Sequence, residues 1–149
     1  MLERELPPKL AEGAHLVGNE YGWEASMFPT ALANAQALGY ACIGGQFQFR
    51  LDNGTCEMYW LSADSTPRHE AESWLEYCER SCSEVKGGFQ KLMSETDFRK
   101  QALEWRPVKE AMAHGLDPLE KLAFVAYFVD EAEWLERSKE AVTPRPPGA

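Results

Sequence analysis

The chain has 149 residues, of which 44% are hydrophobic and 26% are charged, and its formal net charge is −9 at pH 7. This size and composition predict one globular domain over residues 1–149, with a core large enough to need neither a metal nor disulfides. The negative charge repels phosphate backbones and anionic lipid head groups, so nucleic acids and membranes are poor partners and basic proteins are favoured ones.

The beginning of the chain lacks the basic start and apolar stretch of a secretory signal. The longest apolar run, Leu122 to Val129, is far shorter than the roughly 20 residues with which a helix crosses a bilayer. We therefore expect a cytoplasmic protein whose four cysteines are free thiols. Pro7-Pro8 at one end and the prolines between Thr143 and Ala149 at the other predict flexible tails over residues 1–12 and 142–149.

The first predicted helix covers residues 28–39. Pro29 stands in its first turn, alanines fill its interior, and Gly39 marks its end.

A β-hairpin is predicted over residues 46–61, where apolar and polar residues alternate about Asn53-Gly54. With these two residues as the loop, Phe47 lies opposite Trp60 and one face of the hairpin is wholly apolar. The other face carries Gln48, Arg50, Glu57 and Tyr59.

Helical periodicity predicts a long helix over residues 68–86, ended by Gly87-Gly88. Its apolar stripe consists of Ala71, Trp74, Leu75, Cys78, Cys82 and Val85. An acidic ridge, defined as Glu72, Glu76 and Glu79, lies to one side of that stripe. The ridge is interpreted either as a solvated face or as a docking surface for a basic partner.

Thr96 or Asp97 begins a further helix that runs to Trp105, where Pro107 interrupts it. Asp117-Pro118 marks the start of another helix. The run over residues 122–129 is apolar on both sides, so periodicity does not distinguish a buried helix from a buried strand. We choose a helix there, with residues 15–17 as the third strand of the sheet. The alternative makes residues 122–129 that third strand.

The predicted fold class is therefore α+β, with a small sheet built on the 46–61 hairpin and packed against four or five helices. No complete catalytic or metal motif accompanies it. Cys78 and Cys82 are one turn apart without a Cys-x-x-Cys knuckle, and Cys42 has no basic neighbour in sequence to favour its thiolate. We assign no catalytic residue, no metal site and no cofactor.

The abundance of aromatic residues favours a binding function, because five tryptophans and five tyrosines are too many to be buried completely. Trp23, Tyr59 and Trp134 are the residues expected to be exposed. The predicted partner-binding residues are Trp23, Gln48, Arg50, Tyr59, Glu72, Glu76 and Glu79.

The leading hypothesis is a non-enzymatic acidic domain that binds a basic protein, such as a bacterial immunity or antitoxin-type inhibitor. The alternative is a small enzyme or small-ligand-binding protein, with a cleft between the hairpin and the Trp74 helix and with Cys42 or a buried glutamate supplying chemistry. A homo-oligomeric subunit is a third hypothesis, if the run over residues 122–129 is not covered by its own chain.

Overall fold

A five-stranded antiparallel sheet is the centre of the fold in the computed structural model, which describes residues 5–142 and the side chains of residues 5–139. The strands are β1 (Ala14–Val17), β2 (Glu20–Glu24), β3 (Ala41–Leu51), β4 (Gly54–Asp64) and β5 (Leu122–Val129). Their order across the sheet is β1-β2-β5-β3-β4. The strands at its two edges are therefore β1 and β4.

Helices accompany the sheet, and the fold class is α+β as predicted. They are α1 (Pro8–Ala11), α2 (Phe28–Ala37), α3 (Trp74–Glu95), α4 (Phe98–Ala102), α5 (Arg106–Ala113) and α6 (Glu131–Val142). The long helix α3 packs across β3 and β4, and α2 packs beside it. Between these helices and the sheet lies an aromatic core formed by Trp23, Phe28, Phe47, Phe89, Phe124 and Phe128.

Residues 122–129 form the strand β5, so the helix chosen for them is wrong and the alternative is correct. This strand pairs with β2 on one side and with β3 on the other. Its residues are buried on both faces, apart from the half-buried Tyr127. A strand covered on both faces has a continuous apolar sequence, which is why alternation was absent. Residues 15–17 do form a strand, but it pairs with β2 at the far edge.

The hairpin of β3 and β4 is present, with a loop one residue earlier than predicted. Leu51 pairs with Gly54, so Asp52 and Asn53 form the loop. The predicted loop requires positive φ at both of its residues, and among the described residues only glycines have positive φ. Phe47 consequently lies opposite Met58 instead of Trp60.

A bulge in β4 changes which of its side chains face the core. Phe47 pairs with Met58 and Gln46 pairs with Ser62, which leaves residues 59–61 of β4 without partners in β3. The alternation is therefore interrupted: Met58 and Leu61 are both buried, while the adjacent Tyr59 and Trp60 are both exposed. The expectation that Trp60 belongs to the apolar face is wrong, because it assumes a regular ladder.

The boundaries of α3 differ from the predicted 68–86. Ser73 caps its first turn: the Ser73 hydroxyl accepts a hydrogen bond from the Glu76 amide at 3.1 Å, and the Glu76 carboxylate accepts one from the Ser73 amide at 3.0 Å. The helix continues through Gly87-Gly88 to Glu95. Its buried face includes Tyr77 and Ser81, and Leu75 is exposed on the other side.

Three further boundaries follow the local signals. Asp97 caps α4 by accepting a hydrogen bond from the Lys100 amide, and Pro107 stands in the first turn of α5. Asp117 caps a single 3-10 turn, Pro118–Lys121, which ends where β5 begins. The helix-start signal at Asp117-Pro118 therefore marks one turn instead of a long helix.

The predicted N-terminal tail is wrong for residues 5–12. Leu6 and Leu10 are buried in the core, and the indole Nε1 of Trp23 donates a hydrogen bond to the Leu10 carbonyl at 3.2 Å. Residue 142 belongs to α6, and residues 1–4 and 143–149 lie outside the described part of the chain.

The prediction of free thiols is confirmed. All four cysteines are unpaired and buried. Cys42 lies in β3 immediately before a register irregularity at residues 42–44.

The glycine pair in α3 provides a matched test of how closely this helix packs on the sheet. A Cβ added at Gly87 meets nothing within 4 Å, whereas one at Gly88 lies 2.8 Å from the Ala63 Cβ of β4. Gly87→Ala is expected to raise the free energy of unfolding by about 0.5–1 kcal/mol, since glycine is costly inside a helix. Gly88→Ala is expected to lower it by about 1–3 kcal/mol through overpacking. Urea denaturation of both variants checks this, and stabilisation by both contradicts the contact.

Candidate protein-binding surface

Two large aromatic side chains are exposed next to each other on the edge strand β4. Tyr59 is 72% exposed and Trp60 is 49% exposed. Both lie in the bulge, where β4 has no ladder partners in β3. Adjacent residues of a regular strand point to opposite faces, so the bulge is what leaves both side chains in contact with solvent.

A third aromatic ring supports this pair. Trp60 is stacked on Trp105, with ring centroids 6.2 Å apart and an angle of 6° between the ring planes. Tyr59 meets Trp60 edge to face at 5.1 Å. Trp105 is half-buried at the N-terminus of α5, and its buried indole Nε1 has no hydrogen-bond partner among the described residues. We call Tyr59, Trp60 and Trp105 the edge patch.

Strand β4, which carries Tyr59 and Trp60 of the edge patch, is acidic and lies at the edge of the sheet that the described residues form. Within the described residues, β4 pairs with β3 alone. An edge strand presents unpaired backbone N–H and C=O groups. Its two charged residues, Glu57 and Asp64, are both acidic and both exposed. The surface along β4 therefore combines aromatic rings, free backbone groups and negative charge.

The predicted polar residues Gln48 and Arg50 form an internal network instead of an open contact face. The Arg50 guanidinium donates hydrogen bonds to Gln48 Oε1 at 2.9 Å, to the His15 carbonyl at 2.6 Å and to the Glu20 carbonyl at 3.0 Å. It lies against Gly22, where an added Cβ would be 2.7 Å from its Cζ. Arg50 thus ties β3 to β1 and β2 across β5. Gln48 is buried beneath it.

The same face of the sheet holds a tyrosine and a carboxylate in contact. The Tyr127 hydroxyl donates a hydrogen bond to the Glu20 carboxylate. Burial, together with this neighbouring carboxylate, raises the pKa of Tyr127 to about 12. Tyr127 is therefore a protonated donor at neutral pH.

Two members of the acidic ridge have structural roles. Glu72 accepts hydrogen bonds from the Arg80 guanidinium at 2.7 and 2.9 Å. Arg80 also binds Glu84 at 3.0 Å and the carbonyl of Pro67 at 3.0 Å, so it fastens the loop before α3 to that helix. Glu76 completes the helix cap. Glu79 is exposed on the following turn.

The expectation that Trp23 is exposed is wrong. Residues 20–24 form strand β2 and not a loop, and Trp23 is completely buried against Phe28 and Phe128. The structure brings Gln48 and Arg50 into one network and places Glu72 and Glu76 at the start of α3. It does not gather the predicted binding residues on one surface. Among them, Tyr59 is the most exposed aromatic residue.

Trp60 and Trp105 are members of the edge patch that sequence reasoning missed. Regular alternation predicts that Trp60 faces the core, and the sequence pattern of residues 46–61 contains no signal for the bulge. Trp105 carried a weak signal: it lies between Glu104 and Arg106 and precedes Pro107, at a break between helices.

Chemistry by a cysteine finds little support in the geometry. Burial raises the pKa of Cys42 well above its ordinary value, so its thiolate is disfavoured at neutral pH. Within residues 5–142, no group of three or more His, Cys, Asp and Glu side chains is arranged to hold a metal ion. Over the same residues, no helix combines the length and apolar character that crossing a bilayer requires.

Comparison with known proteins gives no further guidance, because the chain matches no family model, no curated protein and no solved structure.

The pairing of Glu72 with Arg80 predicts a specific dependence of stability on pH. Hydrogen bonds from Arg80 lower the pKa of Glu72 from 4.5 to about 2. A carboxyl with a depressed folded-state pKa stabilises the fold fully above its unfolded value, and this contribution is lost as the pH falls. Glu72→Gln is therefore expected to lower the urea midpoint at pH 7, and the difference from the parent chain should shrink between about pH 4.5 and 2.

The control is Glu70→Gln, at an exposed position in the same loop, which is expected to leave the midpoint unchanged at both pH values. An equal effect of Glu72→Gln at pH 7 and at pH 2 would contradict the ion pair.

Proposed function

We propose that this chain is a non-enzymatic protein-binding domain that holds a basic partner along the edge strand β4, with Tyr59 and Trp60 as its anchoring side chains. The observation that supports this best is the pair of adjacent exposed aromatic rings on a strand edge that no other described strand pairs with. Tyrosine and tryptophan are the residues most enriched among those that dominate binding energy at protein interfaces.

The edge patch is held in place before any partner arrives. Trp60 is stacked on Trp105 and contacted by Tyr59, so its ring has little freedom left to lose. A side chain that is already ordered loses less conformational entropy on binding. Each large aromatic side chain buries about 150–250 Å² when it is covered, which makes such a pair an effective anchor.

The strand edge adds directional contacts to these anchors. A partner in extended conformation can pair with the free N–H and C=O groups of β4 and so lengthen the sheet by one strand. Long exposed edges are usually protected in natural proteins. The bulge at residues 59–61 divides this edge into two shorter segments, which limits unspecific pairing and leaves the aromatic residues between them.

Charge selects the class of partner. Glu57 and Asp64 are exposed on either side of the aromatic pair, and the whole chain carries −9. Complementary charge steers association and suppresses partners of the same sign. A second copy of this acidic chain is disfavoured on that ground, and a basic protein is favoured. Inhibition of a basic toxin by an immunity or antitoxin-type protein is one function that such a surface would serve.

A peptide library displayed on phage tests this proposal with a defined probe. The recovered peptides are synthesised and their affinities are measured by calorimetry. We expect peptides rich in Lys and Arg that alternate with apolar residues, and weaker binding as salt is raised. Tyr59→Ala and Trp60→Ala are each expected to weaken binding at least about tenfold, which corresponds to about 1.4 kcal/mol.

The matched control is Leu75→Ala, which truncates an exposed apolar side chain on α3 and is expected to leave the affinity within about twofold. Peptides whose binding is unaffected by Tyr59→Ala would overturn the proposal. Self-association that Tyr59→Ala abolishes would replace the basic partner with a second copy of the chain. If Trp60→Ala unfolds the protein, the highly exposed Tyr59 still provides the test.

A further inference from the structure

A separate cleft of about 360 Å³ lies where α6 meets the beginning of α3 and the loop that follows β4. Its polar lining comes from Ser65, Arg68, Tyr77, Arg137 and Ser138, and Trp134 forms an apolar wall. The cleft does not include the edge patch, so a ligand bound in it is independent of the proposed function. No residue of the 46–61 hairpin lines it, so it is not the cleft between the hairpin and the Trp74 helix that the alternative prediction describes.

Arg68 is held rigidly beside this cleft. Its Cζ lies 4.7 Å from the ring centroid of Trp134 and 5.3 Å from that of Trp74, and its side chain is 16% exposed. Its Nε donates to the Glu72 carbonyl at 3.2 Å, while Nη1 reaches Glu131 only at 3.5 Å. A guanidinium has five N–H donors, and among the described residues acceptors engage two of those of Arg68.

Arg137 contributes a second guanidinium from α6. Its side chain is 40% exposed, and its Nε lies 3.8 Å from the Glu133 carboxylate. This separation permits electrostatic attraction but exceeds a hydrogen bond. In contrast, Arg80 binds Glu72 at 2.7 Å. The two arginines of the cleft are thus only loosely paired with Glu131 and Glu133, whereas Arg80 is firmly paired.

Hydroxyl groups complete the lining. Ser65 Oγ donates to the carbonyls of Cys42 and Ile43 at 2.6 and 3.1 Å. Tyr77 is buried beside it, and burial raises the pKa of Tyr77, so its hydroxyl stays protonated. Ser138 approaches from α6. The hydroxyl hydrogen of Ser65 is engaged by these carbonyls, so the groups of the cleft that favour an anionic ligand are its two guanidinium groups.

We propose that this cleft binds a small phosphate monoester, with its phosphate group between Arg68 and Arg137. Two guanidinium groups from different elements match a group that carries nearly two negative charges and three acceptor oxygens. A carboxylate, with two oxygens and one charge, is satisfied by a single arginine. The volume of 360 Å³ lies at the lower end of the range for ligand pockets, and the Trp134 ring offers an apolar surface to the organic part.

Calorimetric titration of the whole chain with phenyl phosphate, inorganic phosphate and benzoate tests the proposal. We expect saturable binding of phenyl phosphate, weaker binding of inorganic phosphate and weaker still of benzoate. Arg137→Gln is expected to lower the affinity for phenyl phosphate at least about tenfold. The matched control is Arg106→Gln, at an exposed arginine of α5 that also faces a glutamate four residues away, and it should leave the affinity unchanged.

Nuclear magnetic resonance locates the site independently. The indole N–H signal that is removed by Trp134→Phe should shift when phenyl phosphate is added to the parent chain, and should not shift with Arg137→Gln. Failure to saturate by about 10 mM phenyl phosphate, which means a Kd too weak for a specific site, would overturn the proposal. If benzoate binds as tightly as phenyl phosphate, the site recognises carboxylates and the proposed specificity for a phosphate group is wrong. If Arg106→Gln lowers the affinity for phenyl phosphate as much as Arg137→Gln does, the binding is unspecific electrostatic attraction and the proposed site is wrong.

Discussion

The burial of β5 between two pairs of strands is the constraint on which the rest of the structure depends. The strand comes last in the sheet by sequence but lies at its centre, paired with both β2 and β3. Phe124 packs against Phe28, Phe47 and Phe89, and so joins the sheet to α2 and α3. Because β5 occupies the centre, β4 is left at an edge of the described sheet. Because α6 follows β5 directly, Trp134 and Arg137 lie near the beginning of α3.

The arginines show how the same charged group serves different purposes according to its surroundings. Arg50 uses its guanidinium to join strands that are distant in sequence. Arg80 uses its guanidinium to hold the loop over residues 65–73 against α3. All three guanidinium nitrogens of each arginine donate to acceptors of this chain, so both side chains act within the framework of the fold. The acidic ridge predicted from the sequence likewise offers less negative charge to a partner, because Glu72 is paired with Arg80.

The parts of the fold that were predictable from sequence are those whose causes are local. The helix over residues 28–39 and the hairpin around Asn53 depend on turn and cap residues that act on their neighbours. The failures arise where a distant segment decides the outcome. The apolar run of β5 has no local preference between helix and strand, and only β2 and β3 settle it. Gly87-Gly88 resembles a helix end, yet Gly88 is needed for close packing on Ala63. In the sequence, Trp23 resembles an aromatic residue of an exposed loop. It is buried because β2 pairs with β1 and β5.

The same distinction explains why the candidate surfaces were only partly visible in the sequence. Tyr59 was identified because alternation places it on the outer face, and that reasoning survives the change of register. Trp60 and Trp105 were missed because their contact requires both a bulge in β4 and the position of α5. The α6 cleft was missed because Arg68 and Arg137 are far apart in sequence.

What identifies this pair of arginines is a difference in distance: 3.5 and 3.8 Å to their carboxylates, against 2.7 Å for Arg80 and Glu72. A loosely paired cation loses little when a stronger anion replaces its neighbour, since the pairing that it gives up is weak and screened. In a chain with a net charge of −9, two arginines with such long contacts to their carboxylates on one small cleft are the cations from which an external anion most easily displaces an internal one, and the stacking of Arg68 on Trp134 and Trp74 keeps that cation in place for it.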